Sequence, residues 1–255
     1  MHLKILQLSI IFLFFGLLLQ AQRIILRPSL SFAALYGGFQ SSTIPEPYFS
    51  STFTRSAFIG IQAEVPLNKQ NSLYLRASTY NYATSFRSVT NRKPDLFDFI
   101  FSETTLGSTV SATLLGAGIK RDITFQRKRN KLYLNAGINL ISQRNDDSGP
   151  FVSGPFLGGF ISNFSYSTKS RKKVFPVLEL GISHPILNRK HKEILEFSFL
   201  LHHAFQKVLE DKLDYNYSGP RYGGPQRQQA IFASRAFSFQ FVFSKAIGIK
   251  TLRKK

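Results

Sequence analysis

Four phenylalanines, Phe237, Phe239, Phe241 and Phe243, alternate with Ser238, Gln240, Val242 and Ser244. Only an extended strand sorts these two sets onto opposite faces, because successive side chains of a strand point to opposite sides. The same period recurs upstream. Leu195, Phe197, Phe199 and Leu201 are interleaved with Glu196, Ser198, Leu200 and His202. Leu132, Leu134, Ala136, Ile138 and Leu140 alternate with Tyr133, Asn135, Gly137 and Asn139, and Ala57, Ile59, Ile61, Ala63 and Val65 with Phe58, Gly60, Gln62 and Glu64. Weaker versions run over residues 30–36, 73–79, 114–120 and 178–183, where small residues dilute both faces. Eight strands follow, each with room for the roughly 9–11 residues of a tilted membrane strand.

One face of these strands is continuously apolar, as lipid requires. The other carries Gln62, Glu64, Arg76, Asn135, Glu179, Glu196 and Gln240, as a polar lumen requires. Soluble barrels alternate too, so the connections carry the distinction. Residues 68–71, 126–131 and 188–192 make short links, whereas 39–54, 87–105, 144–173 and 210–229 make long ones rich in Ser, Gly, Pro, Asn and Tyr. Strict alternation of short and long puts tight turns on one rim and extended loops on the other, the arrangement of membrane barrels with periplasmic turns and extracellular loops.

The N-terminus agrees with export. Lys4 precedes an apolar run over residues 5–19, followed by Leu19-Gln20-Ala21, which reads as a secretory signal peptide cleaved after Ala21. The run is shorter than the roughly 20 residues of a spanning helix. Beyond it every hydrophobic stretch is soon interrupted, so any further crossing of a membrane must use strands. The chain has no cysteine, which excludes a disulfide framework and an acylated N-terminal cysteine. The expected division is a signal peptide over 1–21, an outer-membrane barrel over 22–246 and a basic periplasmic tail over 247–255.

Signal peptide, eight alternating strands, basic short turns and aromatic strand ends together resemble the outer-membrane β-barrel domain families abundant in Bacteroidota. The resemblance implies a small porin-like or OmpA-like barrel. Such barrels commonly end on an aromatic residue, whereas here residues 245–255 extend beyond Phe243. The fold expected is all-β, an eight-stranded antiparallel up-and-down transmembrane β-barrel. Phe156, Phe160, Phe164 and Tyr166 share one parity inside the third long connection, which implies a hairpin projecting above the membrane or, alternatively, a ten-stranded barrel.

Four charged residues are singled out on the lumenal face. A register centred on the 68–71 turn sets Glu64 opposite Arg76 as a buried ion pair that fills the pore and fixes register. Glu179 and Glu196 face inward by parity and need basic partners such as Arg76 or Lys120. His202 with Ser198 and Glu196 is the arrangement a lipid-A hydrolase or acyltransferase would use, but no nucleophile-elbow glycines surround any serine. No zinc-type spacing occurs, Asp146-Asp147 lacks the pattern of a calcium loop, and Gly116-Ala117-Gly118 sits inside a strand, where glycines relieve crowding. No cofactor, metal or catalytic set is expected.

A formal net charge of +19 suggests nucleic acid at first sight. The cations cluster at strand ends rather than along one groove, in residues 127–131, 169–173 and 189–192 and in the tail, and this suits the phosphates of outer-membrane lipid and lipopolysaccharide. Tyr36, Phe39, Tyr48, Phe53, Tyr80, Tyr82, Phe86, Tyr215, Tyr217 and Tyr222 gather near the long connections, as an interfacial aromatic girdle would. An eight-stranded lumen is filled by side chains, so the leading expectation is a non-enzymatic barrel that binds or adheres through four extracellular loops. The alternatives are a small barrel of a protein-export apparatus of the type IX secretion kind, in contact with other envelope proteins, and the lipid-A enzyme.

Overall fold

The computed structural model describes residues 23–42, 48–51, 53–89, 105–123, 131–143, 151–153, 161–171, 173–189, 193–217 and 226–250. They form thirteen strands: β1 (Arg23–Ser42), β2 (Tyr48–Ser51), β3 (Phe53–Pro66), β4 (Asn71–Val89), β5 (Thr105–Asp122), β6 (Tyr133–Gln143), β7 (Phe151–Ser153), β8 (Ile161–Ser170), β9 (Val174–Leu187), β10 (Glu193–Ala204), β11 (Leu209–Tyr217), β12 (Gln226–Ser244) and β13 (Ile247–Lys250). All pairings are antiparallel. The path β1-β3-β4-β5-β6-β9-β10-β12 returns to β1 and closes an eight-stranded barrel. All eight alternating segments of the sequence are walls of this ring, and their apolar and polar faces lie as the alternation requires.

The remaining strands lengthen these walls. β10 and β11 follow one another along β12, with the jog at 205–208 between them, and β8 and β9 follow one another along β11 and β10. β2 likewise prolongs β3 along β4, and β7 pairs with β8. The described part of the extra strand-like segment, with Phe164 and Tyr166 inside β8, therefore extends an existing wall, and the ring stays at eight; Phe156 and Phe160 lie outside the described residues. Much of what reads as the third and fourth loops is strand. The signal was present in Leu209, Leu213 and Tyr215 alternating with Glu210, Lys212 and Asp214.

At the other end, β13 pairs with Arg23–Leu26 of β1 in the same register as β12. The last wall thus runs past Phe243 and follows β1 to its first described residue, Arg23.

Register fixes the barrel's dimensions. Arg55 lies level with Ala34, Phe239, Leu201, Leu180, Ala136, Ile119 and Leu73 in turn, and the path returns to β3 at Val65. The displacement from 55 to 65 is a shear of ten residues. For eight strands this shear gives a tilt of roughly 40° and an interior just wide enough for side chains to fill.

A line of irregularities crosses the wall at one level. β1 shifts register between Tyr36 and Gly38, Ala236 takes φ 49° in β12, and β10 and β11 are separated by 205–208. Bulges concentrate at barrel rims because they re-aim a strand while preserving most of its pairing. The outer surface changes character at this line. Below it Phe32, Ile59, Leu115, Ile138, Leu180, Ile182 and Phe241 are exposed, whereas above it the outward residues of β11 are Glu210, Lys212, Asp214 and Asn216. An apolar band around a closed barrel with a polar interior is the surface of a transmembrane barrel, and barrels of this kind reside in outer membranes.

Candidate functional site

Two charged layers cross the lumen. In the lower one Arg27 on β1, Glu64 on β3, Lys120 on β5 and Glu196 on β10 are all buried. Arg27 Nε donates to Glu64 Oε2 at 2.7 Å, its two Nη atoms donate to the two carboxylate oxygens of Glu193, and Nη1 lies 3.5 Å from Glu196. Lys120 Nζ donates to Glu196 and lies 3.3 Å from Glu64, with its ammonium 4.5 Å from the centre of the Tyr133 ring. Two cations are shared among three carboxylates. Such charges stay ionised away from water only because each is matched and hydrogen-bonded. Since β1 closes on β12, Arg27 reaches strands on both sides of the closing seam, β3 on one and β10 on the other.

The upper layer centres on Glu179, which has no solvent exposure. Its Oε2 accepts from Arg76 Nη1 at 2.7 Å, Asn139 Nδ2 at 2.9 Å and His202 Nε2 at 2.8 Å, while Oε1 accepts from the Tyr74 hydroxyl at 2.7 Å. A His202 ring bearing its proton on Nε2 leaves Nδ1 to accept from Gln240 Nε2, 2.9 Å away. Gln240 and the Tyr80 hydroxyl then meet at Ser238 Oγ. Arg76 also donates to Gln62 Oε1.

The Glu64–Arg76 pair expected from the sequence is not formed. Asn68 Oδ1 accepts from the backbone N–H of Gln70 and of Asn71, and the amides of Leu67 and Asn68 both donate to the Asn71 carbonyl. The turn is thereby centred on Lys69, one residue earlier than a Glu64–Arg76 pair requires, and the pairing becomes Gln62 with Arg76 and Glu64 with Tyr74. Glu64 is served by Arg27 and Lys120 instead. Arg76 reaches across the lumen to Glu179, and Glu196 meets Lys120. Sequence reasoning missed Arg27 and Glu193. Arg27 shares the inward parity of Ser29, Ser31 and Ala33 once the first strand is extended backwards through Pro28.

Small residues make room for the network. A Cβ on Gly118 would meet the Tyr74 ring at 2.4 Å, and one on Gly137 its hydroxyl at 2.7 Å. Tyr74 thus lies in a trough across β5 and β6 that lets its hydroxyl reach Glu179. Gly116 leaves space for Asn139 in the same way.

The hydrolase arrangement does not assemble. His202 bonds to Glu179 and Gln240, while Ser198 Oγ pairs with Ser183 Oγ at 2.7 Å. Among the described residues no group of three or more His, Cys, Asp or Glu side chains is placed to hold a metal; Asp146 and Asp147 lie outside them. Above the charged layers the interior is mainly apolar, built from Leu35, Phe58, Tyr82, Val110, Ile141, Phe175, Val177, Val208 and Leu209, with a buried Asp211 that accepts a hydrogen bond from Thr84. The aromatic girdle needs correction here. Tyr80, Tyr82 and Tyr215 are buried, whereas Tyr36 and Phe53 face outward. The side chains of Phe39, Tyr48, Phe86, Tyr217 and Tyr222 lie outside the described residues.

No protein-family model matches the chain, and no curated protein matches it in sequence. Among solved structures it is similar to the outer membrane protein OprG from Pseudomonas aeruginosa (11% identity, TM-score 0.41, covering 89% of this chain and 96% of that one). It is also similar to the outer membrane protein AlkL in DMPC lipid bilayers (11%, 0.41, 92% and 93%). A weaker similarity is to the transport unit of the autotransporter AIDA-I from Escherichia coli (9%, 0.25, 91% and 91%). The barrel itself stands on the chain's own strand pairings.

Proposed function

We propose that the chain is a non-enzymatic outer-membrane barrel whose lumen offers no open aqueous path and whose activity is binding or adhesion at its outer end. The observation that carries this reading is the filled cross-section. Arg27, Glu64, Lys120 and Glu196 form one layer, Glu179, Arg76, Tyr74 and His202 a second, and an apolar layer with Phe175 and Val177 lies above. Every charged group in these layers has a partner, so a permeating ion would have to displace matched, dehydrated charges. A buried His202 whose ring nitrogens bond to Glu179 and Gln240 and to no serine also speaks against acyl transfer, because substrate has no route to it.

Single-channel recording in planar bilayers tests the claim. Purified protein is expected to give no stepwise conductance at moderate voltage, while Arg27→Ala with Arg76→Ala opens one. Regular steps from the unmodified barrel would contradict it.

A further inference from the structure

The outward face is not uniform around the ring. On β5, β6 and β9 it is aliphatic, with Leu115, Ile119, Leu134, Ile138, Leu180 and Ile182. On β12 and its neighbours β1 and β10 it is largely aromatic, and Phe53 continues this at the top of β3, whose lower outward face is Ile59 and Ile61. There Tyr36 packs against Phe53 and Phe237 at 5.1 and 6.2 Å between ring centres, and Phe239 packs against Phe237 and Phe199 at 4.9 and 5.9 Å.

Two arginines flank the top of this aromatic face. Arg55 on β3 lies two residues below Phe53, and Arg235 on β12 two residues above Phe237; Phe53, Tyr36 and Phe237 form one row across the three strands. Both arginines are exposed, and neither has an anionic partner among the described residues. This separates them from Arg27 and Arg76, which are buried and paired, and from Arg171, which pairs with Glu210. β3 and β12 are separated by β1 alone, and the two positions differ by four residues along the strands, so their Cα atoms stand roughly 16 Å apart. The strand tilt lifts the β3 side, which brings Arg55 and Arg235 to a similar height beside the line of bulges.

The direction of Arg235 is fixed by its neighbour. Ala236 sits at φ 49°, a region costly for any residue with a Cβ. Its amide donates to Ser234 Oγ at 3.1 Å and its carbonyl accepts from the Tyr80 hydroxyl at 3.2 Å. Interior hydrogen bonds thus hold a kinked backbone that presents Arg235 outward.

Guanidinium groups with no anionic partner among the described residues, set beside the topmost lipid-facing aromatic rings where the outer surface turns from apolar to charged, call for an anionic headgroup with acyl chains beneath it. We propose that Arg55 and Arg235, with Tyr36, Phe53 and Phe237, form a binding site for a phosphorylated glycolipid of the outer leaflet. The planar, multi-donor guanidinium matches phosphate oxygens. The long arginine side chains can reach inward from the two positions to two phosphates on one headgroup, and the rings take the acyl chains. The site rests on the membrane reading above, although it is independent of whether the lumen conducts.

The test is the midpoint temperature of heat-modifiable gel mobility, measured in detergent with and without purified lipopolysaccharide. At saturating lipid the unmodified barrel should gain about 5–10 °C. Dephosphorylated lipopolysaccharide and inorganic phosphate should give none of this gain. Arg55→Gln with Arg235→Gln should keep its mobility without lipid and lose most of the gain, while Arg171→Gln keeps it. If the double variant does not fold, each single variant should lose part of the gain. Full gain in the arginine variants, or equal gain from dephosphorylated lipid, would overturn the site. A chain with no heat-modifiable mobility at all would instead overturn the membrane reading.

Discussion

Below the line of bulges the barrel is built inside out, and above it the ordinary way round. In the lower part Ile138, Phe241 and Leu180 face outward while Arg27, Glu64 and Glu179 are buried. In the upper part Leu213, Tyr215 and Phe232 are buried, while Lys212 and Asp214 face outward and pair at 3.0 Å. The same strands run through both; β12 crosses the line without ending. What changes is which parity is apolar. The solvent around each part explains the difference, since lipid rewards an apolar exterior and leaves charged groups to be matched inside, whereas water does the reverse.

The largest expected effect comes from unmatching the lower interior. Arg27→Met leaves Glu64, Glu193 and Glu196 facing Lys120 alone and should destabilise the barrel by about 3–5 kcal/mol in urea titrations in lipid. Adding Glu64→Gln and Glu193→Gln should restore part of that. Next is the lower exterior: Ile138→Lys puts a charge among the acyl chains and should cost about 2–4 kcal/mol by the same measurement. A smaller effect is expected from Gly118→Ala, whose Cβ would strike the Tyr74 ring; about 1–3 kcal/mol is the usual cost of overpacking. The smallest is on the upper exterior, where Lys212→Ala loses an exposed ion pair and should stay within about 1 kcal/mol. A Lys212→Ala loss as large as that of Ile138→Lys would erase the distinction between the two parts.

Much of the lower part was legible in the sequence because lipid demands a long, unbroken alternation. Eight walls and their faces follow from residues such as Phe237 to Ser244 without knowledge of pairing. The partners of the buried charges were less legible. Parity places Glu64, Arg76, Glu179 and Glu196 in the lumen, but a one-residue shift in the turn, set by the Asn68 side chain, decides that Arg76 meets Gln62 and Glu179 rather than Glu64. Arg27 escaped notice because Pro28 interrupts the alternation, although a proline fits there. The upper walls were read as loops because their outward residues, Lys212, Asp214 and Asn216, look like those of any solvated segment. Their strand character is carried by the buried Leu209, Leu213 and Tyr215 alone.

The chain contains no tryptophan, so a single introduced indole reports its own surroundings without background. Phe241→Trp and Lys212→Trp, each reconstituted into bilayers with brominated acyl chains, test the inversion directly. The account predicts strong quenching by the brominated lipid for Phe241→Trp, and quenching only by aqueous acrylamide for Lys212→Trp. An indole at position 241 that acrylamide reaches and brominated lipid does not would contradict it.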